Sequence, residues 1–179
     1  MRELIDLIKY HSCEVFLNED GDDLIVELRK GATIEDIARF EIDNGLELPR
    51  VLKELLLFSN GINLFGLQIL SIQEMEFFPQ SKIISFHNWG NGDFDCLSVG
   101  GDYTRGAVVF MSHTEDNLEV VSNSLMEWFA GVIAEIKKEG TLLHPLDYNE
   151  RQTNGMYKKI EHPNNPCIDL SDTQKTDRK

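Results

Sequence analysis

TIEDIARFEIDNGLELPRVLKELLLFSNGINLFG, residues Thr33 to Gly66, reads as two consecutive helices with their start and stop signals written out. Thr33 is placed to cap the first by accepting a bond from the Asp36 amide, and the Asp36 carboxylate falls in the first turn, where the helix dipole favours negative charge. Asn44-Gly45 stops it, because Gly45 can take the left-handed conformation that helix ends use. Leu48-Pro49 restarts the chain, with Pro49 at a first-turn position that needs no amide hydrogen. Val51, Leu52, Leu55, Leu56 and Phe58 give the second helix a broad apolar face, and Asn60-Gly61 ends it.

Before this pair, Glu3 to Lys9 has Leu4, Ile5 and Ile8 at helical spacing and predicts a short amphipathic helix. Cys13 to Leu17 and Leu24 to Leu28 read as strands around a polar turn, Asn18 to Asp23. After the pair, strands are predicted at Leu67 to Leu70, Lys82 to His87, Phe94 to Val99 and Ala107 to Met111. The turn-rich stretches Asn88 to Asp93 and Gly100 to Gly106 separate the last three, and connections this short make them antiparallel neighbours. Asn117 to Asn123 leads into a last helix, where Ser124 and Glu127 have the spacing of a capping box. Leu125, Phe129, Val132, Ile133 and Ile136 line one face of that helix, Lys137 and Lys138 suit its C-terminal dipole, and Gly140 ends it. The fold class expected is α+β: a central, mostly antiparallel sheet of about five to six strands with helices packed on it.

This order of elements resembles the SUKH superfamily, which includes the fungal Smi/Knr cell-wall regulators and many bacterial proteins. The matching residues are the Gly-x-x-Leu-Pro step Gly45-Leu46-Glu47-Leu48-Pro49, the helix-ending Asn60-Gly61, Gly66 before a strand, the Gly92-Asp93 step, and the closing strand and helix at Ala107 to Met111 and Ser124 to Glu139. The ordered set carries the likeness, since each dipeptide alone is common. It spans roughly Ile34 to Gly140. The resemblance implies a SUKH-like domain with no shared catalytic group, and for bacterial members an immunity protein that binds and blocks a toxin domain, often a nuclease.

Length and charge bound the rest. A chain of 179 residues supports one domain, burying roughly 70% of its unfolded surface. The expected organisation is a domain over 1–140, a partly docked extension over 141–170 and a disordered tail over 171–179. The longest apolar run, Ala107 to Met111, is far short of a membrane span, and Met1-Arg2-Glu3 opens no secretory leader. Cys13, Cys96 and Cys167 are odd in number and far apart, without a C-x-x-C, so reduced thiols and a cytoplasmic location are expected, with Cys96 a small core residue.

The net charge of −14 lies wholly in the body: Met1 to Gly140 holds 25 acidic and 11 basic residues, whereas Thr141 to Lys179 holds six of each. Phosphate backbones are bound mainly by Lys and Arg, so direct nucleic-acid binding is not expected, and a basic protein is the natural complement.

Chemical motifs are incomplete. Asn18, Asp20 and Asp22 alternate as in a calcium loop, but Asp23 stands where the sharp turn needs Gly and Arg29 where a bidentate carboxylate is needed. His113-Thr114-Glu115 matches the H-x-E of zinc deaminases without the paired P-C-x-x-C. No phosphate loop or G-x-S-x-G elbow occurs, so neither metal nor cofactor is implied. Asp93 and Asp95 alternate onto one strand face, a pattern that suits a solvent-facing or binding face better than a paired-carboxylate site. With Glu115, Asp116 and Trp89 they form the expected partner-binding set, Trp89 as a core anchor or an interface aromatic. The expected protein is thus not an enzyme but an acidic binding protein, a monomer or weak dimer, whose partner is a basic protein such as a toxin nuclease domain; the alternative is a regulatory scaffold like the fungal relatives.

Overall fold

The computed structural model describes residues 2–17, 21, 23–114, 118–139 and 158–160. In chain order the elements are α1 (Arg2–His11), β1 (Val15–Leu17), β2 (Asp23–Leu24), β3 (Val26–Leu28), α2 (Ile34–Asn44), α3 (Arg50–Phe58), β4 (Ile62–Leu64), β5 (Leu67–Ile69), β6 (Phe77–Phe78), β7 (Ile83–Asn88), β8 (Phe94–Ser98), β9 (Val108–Met111), β10 (Leu118–Ser122), α4 (Leu125–Glu139) and β11 (Lys158–Ile160). An eight-stranded antiparallel sheet runs β10-β9-β8-β7-β5-β4-β3, with β6 on β7, and a small sheet runs β11-β1-β2. The protein is α+β as expected, with more and shorter strands.

The two helices at the centre of the sequence form as their caps dictate. Asp36 N–H donates to Thr33 Oγ1 (3.1 Å) and Thr33 N–H donates to Asp36 Oδ2 (3.1 Å), a reciprocal box, and Gly45 is left-handed at φ 62°. The Thr33 hydroxyl, which donates to Asp36 Oδ2 at 2.7 Å, and then the Thr33 amide hold the Asp36 carboxyl below its usual range. Pro49 precedes the first helical residue of α3 instead of sitting within the turn, and its carbonyl accepts from Leu52 and Lys53. Glu41 ties the corner between the helices, taking Leu48 N–H at 2.7 Å and Lys53 Nζ at 2.7 Å. Burial works against its charge, yet these donors leave its carboxyl lowered.

Gly31 is required by close approach: a Cβ there would lie 2.0 Å from the Leu57 carbonyl oxygen. Beside it, Ala32 N–H donates to Leu56 O (2.8 Å). The β4–β5 hairpin turns on Phe65-Gly66, both at positive φ (54° and 93°), as a two-residue turn matching strand twist demands. A non-glycine residue is costly there, and Phe65 is held by burial and an edge-on contact with Phe16, ring centres 4.7 Å apart.

Alternation divides the strands between two faces. Ile84, Phe86, Leu97 and Val108 join the main core with Leu4 and Ile8 of α1, Ile37 of α2, Leu52, Leu55 and Leu56 of α3, and Trp128, Phe129 and Ile133 of α4. Ile83, Cys96 and Val109 form a second cluster with Phe78, Phe94, Tyr103, Met111 and Leu118. Helices therefore cover one face, while the other is an apolar patch of its own. Cys96 is free and fully buried, as expected, but Cys13 is disulfide-bonded. That corrects the expectation of reduced thiols throughout, since an odd count without a C-x-x-C does not exclude a single bridge. No helix among the described residues is long and apolar enough to cross a membrane. The segment Ser171 to Lys179, most of the preceding extension and the polar turn at 18–20 and 22 lie outside the described residues.

Candidate functional site

The β7–β8 hairpin carries most of the expected site. Its turn is built from side chains that imitate backbone: Asn88 Oδ1 accepts from Gly90 N–H (2.8 Å) and Asn91 Oδ1 from Asp93 N–H (3.0 Å). Trp89 N–H closes it on Asp93 O at 3.1 Å. Such Asx bonds are why Asn and Gly dominate this stretch. Gly92 makes room for the loop after β9, since a Cβ there would meet His113 Cβ at 3.2 Å, and its φ is 96°.

Asp93 and Asp95 do share a face, and it is the face turned into the molecule: they are 0% and 1% exposed. Asp93 Oδ1 accepts from His113 N–H (2.7 Å) and pairs with His113 Nδ1 (2.6 Å), while Asn91 Nδ2 donates to Oδ2 (3.0 Å). Burial alone would raise the Asp93 carboxyl. The His113 amide, the His113 ring and Asn91 outweigh it and hold the carboxyl at about 2, against an ordinary 3.8. Asp95 Oδ2 lies 3.0 Å from His87 Nδ1, and its Oδ1 is buried with no hydrogen-bond partner among the described residues. A β-bulge between Ser85 and His87 brings His87 opposite Asp95. Its ring meets Trp89 edge-on (4.7 Å between centres) and Trp128 of α4 at a tilt (5.6 Å).

Trp89 is therefore half-buried on His87, an anchor of the hairpin with part of its surface open. Glu115 and Asp116 lie outside the described residues. The two aspartates that sequence spacing selects are paired with histidines, one of them the half-exposed His113, and both are buried. Among the described residues no cluster of three His, Cys, Asp or Glu could hold a metal ion.

The exposed charge lies on residues that spacing did not select. From Ile83 to Ile136 the chain holds eight acidic residues, Asp93, Asp95, Asp102, Glu115, Asp116, Glu119, Glu127 and Glu135, against one cation, Arg105, a net of −7. Asp102, Glu119 and Glu127 are exposed. Arg105 is occupied elsewhere, donating from its two terminal nitrogens to Val99 O (2.6 Å) and Glu47 O (2.7 Å). The signal is legible as a run with a single Lys or Arg, but only the fold separates its exposed carboxylates from its buried ones. Residues 31–131 match the model of the SMI1 / KNR4 family (SUKH-1). No curated protein matches the chain.

Proposed function

The chain belongs to the SMI1 / KNR4 family (SUKH-1), and from that premise we propose that it is a non-catalytic binding protein of the immunity type, which blocks a basic toxin domain such as a nuclease through an acidic surface. The observation that carries this reading is the net charge of −7 over residues 83–136, with the single cation turned onto backbone carbonyls. A nuclease presents cations to phosphates, and a surface with a large excess of carboxylates over cations competes for that cleft. Long-range attraction would also raise the association rate, up to about 10⁸ M⁻¹s⁻¹ at low ionic strength. Asp102, Glu119 and Glu127 supply exposed charge, Glu115 and Asp116 add to it in sequence, and Trp89 offers the aromatic contact. Asp93 and Asp95 act indirectly, by fixing the hairpin and the His113 loop.

The test is co-expression with any toxin nuclease domain found encoded beside this gene, followed by capture and a nuclease assay. Equimolar protein is expected to abolish nuclease activity, and Asp102→Lys with Glu127→Lys to slow association without lowering the melting temperature. Failure to capture such a domain, or capture indifferent to both reversals and to salt, would remove the acidic surface from the function.

A further inference from the structure

β10 ends the large sheet. Among the described residues it pairs with β9 alone, Leu118 opposite Met111, Glu119 opposite Phe110, Val120 opposite Val109 and Ser122 opposite Val108, with the register slipping at Val121. The backbone groups on its far side are therefore outside any ladder of described residues, and an edge of that kind is a template for another strand. Natural edges are commonly guarded by Lys, Pro, inward charge or a β-bulge, and of these β10 carries only the slip at Val121. This one, Leu-Glu-Val-Val-Ser, has neither Lys nor Pro and leaves Val120 and Val121 48% and 40% exposed.

We propose that β10 is a strand-addition site, occupied by an extended segment of a partner in which apolar residues alternate with Lys or Arg. The alternation follows from the register. Leu118 and Val120 lie on the face of Val109 and Met111, where the second apolar cluster continues to the sheet edge. Glu119 lies on the opposite face, level with Phe110, and is exposed. An added strand would set apolar side chains beside the first pair and its cations beside Glu119, with main-chain bonds supplying affinity. The cations are set by charge: no Lys or Arg occurs between Arg105 and Lys137, while Glu115, Asp116, Glu119, Glu127 and Glu135 do. A second copy is the wrong occupant by the same argument, since two-fold pairing of β10 would bring like-charged edges together on chains of net −14. The partner's charge rests on the acidic-binding reading above; the strand geometry does not.

The experiment uses the full chain and two capped eight-residue peptides of identical composition, one alternating Lys and Val, the other with four Val followed by four Lys. The alternating peptide is expected to bind about tenfold tighter or more, the scale of one or two cross-strand pairs and their bonds, and to slow amide exchange at 118–122. Val121→Pro, placed where the register to β9 is already broken, is expected to abolish that preference with the melting temperature unchanged. Glu119→Lys, which keeps every backbone donor, is expected to weaken the alternating peptide as a second variant. Equal binding of both peptides, indifferent to Val121→Pro, would overturn strand addition while leaving the acidic surface standing. Absence of binding, or concentration-dependent self-association protecting 118–122, would overturn it outright.

Discussion

Replacing Asp93 by Asn tests whether a buried carboxylate holds the hairpin. The wild-type group receives the His113 amide, the His113 ring nitrogen and the Asn91 amide. Asparagine keeps one acceptor oxygen but turns a second donor toward a site already filled by donors. Holding the carboxyl at about 2 instead of 3.8 corresponds to roughly 2 kcal/mol, at about 1.4 kcal/mol per pKa unit. Solvent reaching the half-exposed His113 ring screens this to about 1–2 kcal/mol. Because the folded value is depressed, this stability is fully present above pH 3.8 and is lost as pH falls through about 2. At neutral pH Asp93→Asn should therefore melt lower by roughly 2–8 °C, the scale for a chain of this size. The gap from wild type should narrow between pH 4 and pH 2. Melts followed by circular dichroism across that range read it directly. A deficit that stays constant from pH 6 to pH 2, or no deficit at pH 7, would refute the assignment.

Three further outcomes follow from the fold. Thr33→Ala removes one half of the α2 capping box and should cost about 1 kcal/mol, with Thr33→Ser close to wild type in chemical denaturation. Gly31→Ala sets a methyl group 2.0 Å from the Leu57 carbonyl and should destabilise by about 3 kcal/mol, at the upper end of overpacking costs; a variant that unfolds at the wild-type denaturant midpoint would contradict that close approach. The Cys96 thiol is fully buried and pushed well above its ordinary value, by burial first and then by the neighbouring Asp95 charge. It should resist iodoacetamide in the native protein and label fully in denaturant, as peptide mass spectrometry would show.

Much of the frame was readable from local signals. The caps at Thr33 and Gly45 are short-range chemistry, satisfied within three or four residues, so their reading needs no knowledge of the fold. The capping pair at Ser124 and Glu127 was half legible: Glu127 N–H donates to Ser124 Oγ (3.2 Å), but the Glu127 carboxylate reaches back to Asn123 N–H instead of Ser124. Strands were less legible. β4 has three residues squeezed between Asn60-Gly61 and Phe65-Gly66, and β6 has two, too short for any periodicity. β10 reads as a polar approach to α4, because an edge strand exposed on both faces lacks the alternation that marks a half-buried one. Leu24 to Leu28 reads as one strand but divides between two sheets, β2 pairing with β1 and β3 with β4.

By itself the sequence determined the helix boundaries around Gly45 to Pro49, the likeness to the family, the surplus of negative charge and the shared face of Asp93 and Asp95. Each depends on neighbours along the chain or on a sum over it. Only the tertiary structure decided which way that shared face points, because a period of two separates the faces of a strand without saying which one the helices will cover. With α4 packed on it, the face belongs to the core, Asp93 and Asp95 become clasps for His113 and His87, and the exposed carboxylates are those on a turn, at the edge of the sheet and at the start of α4.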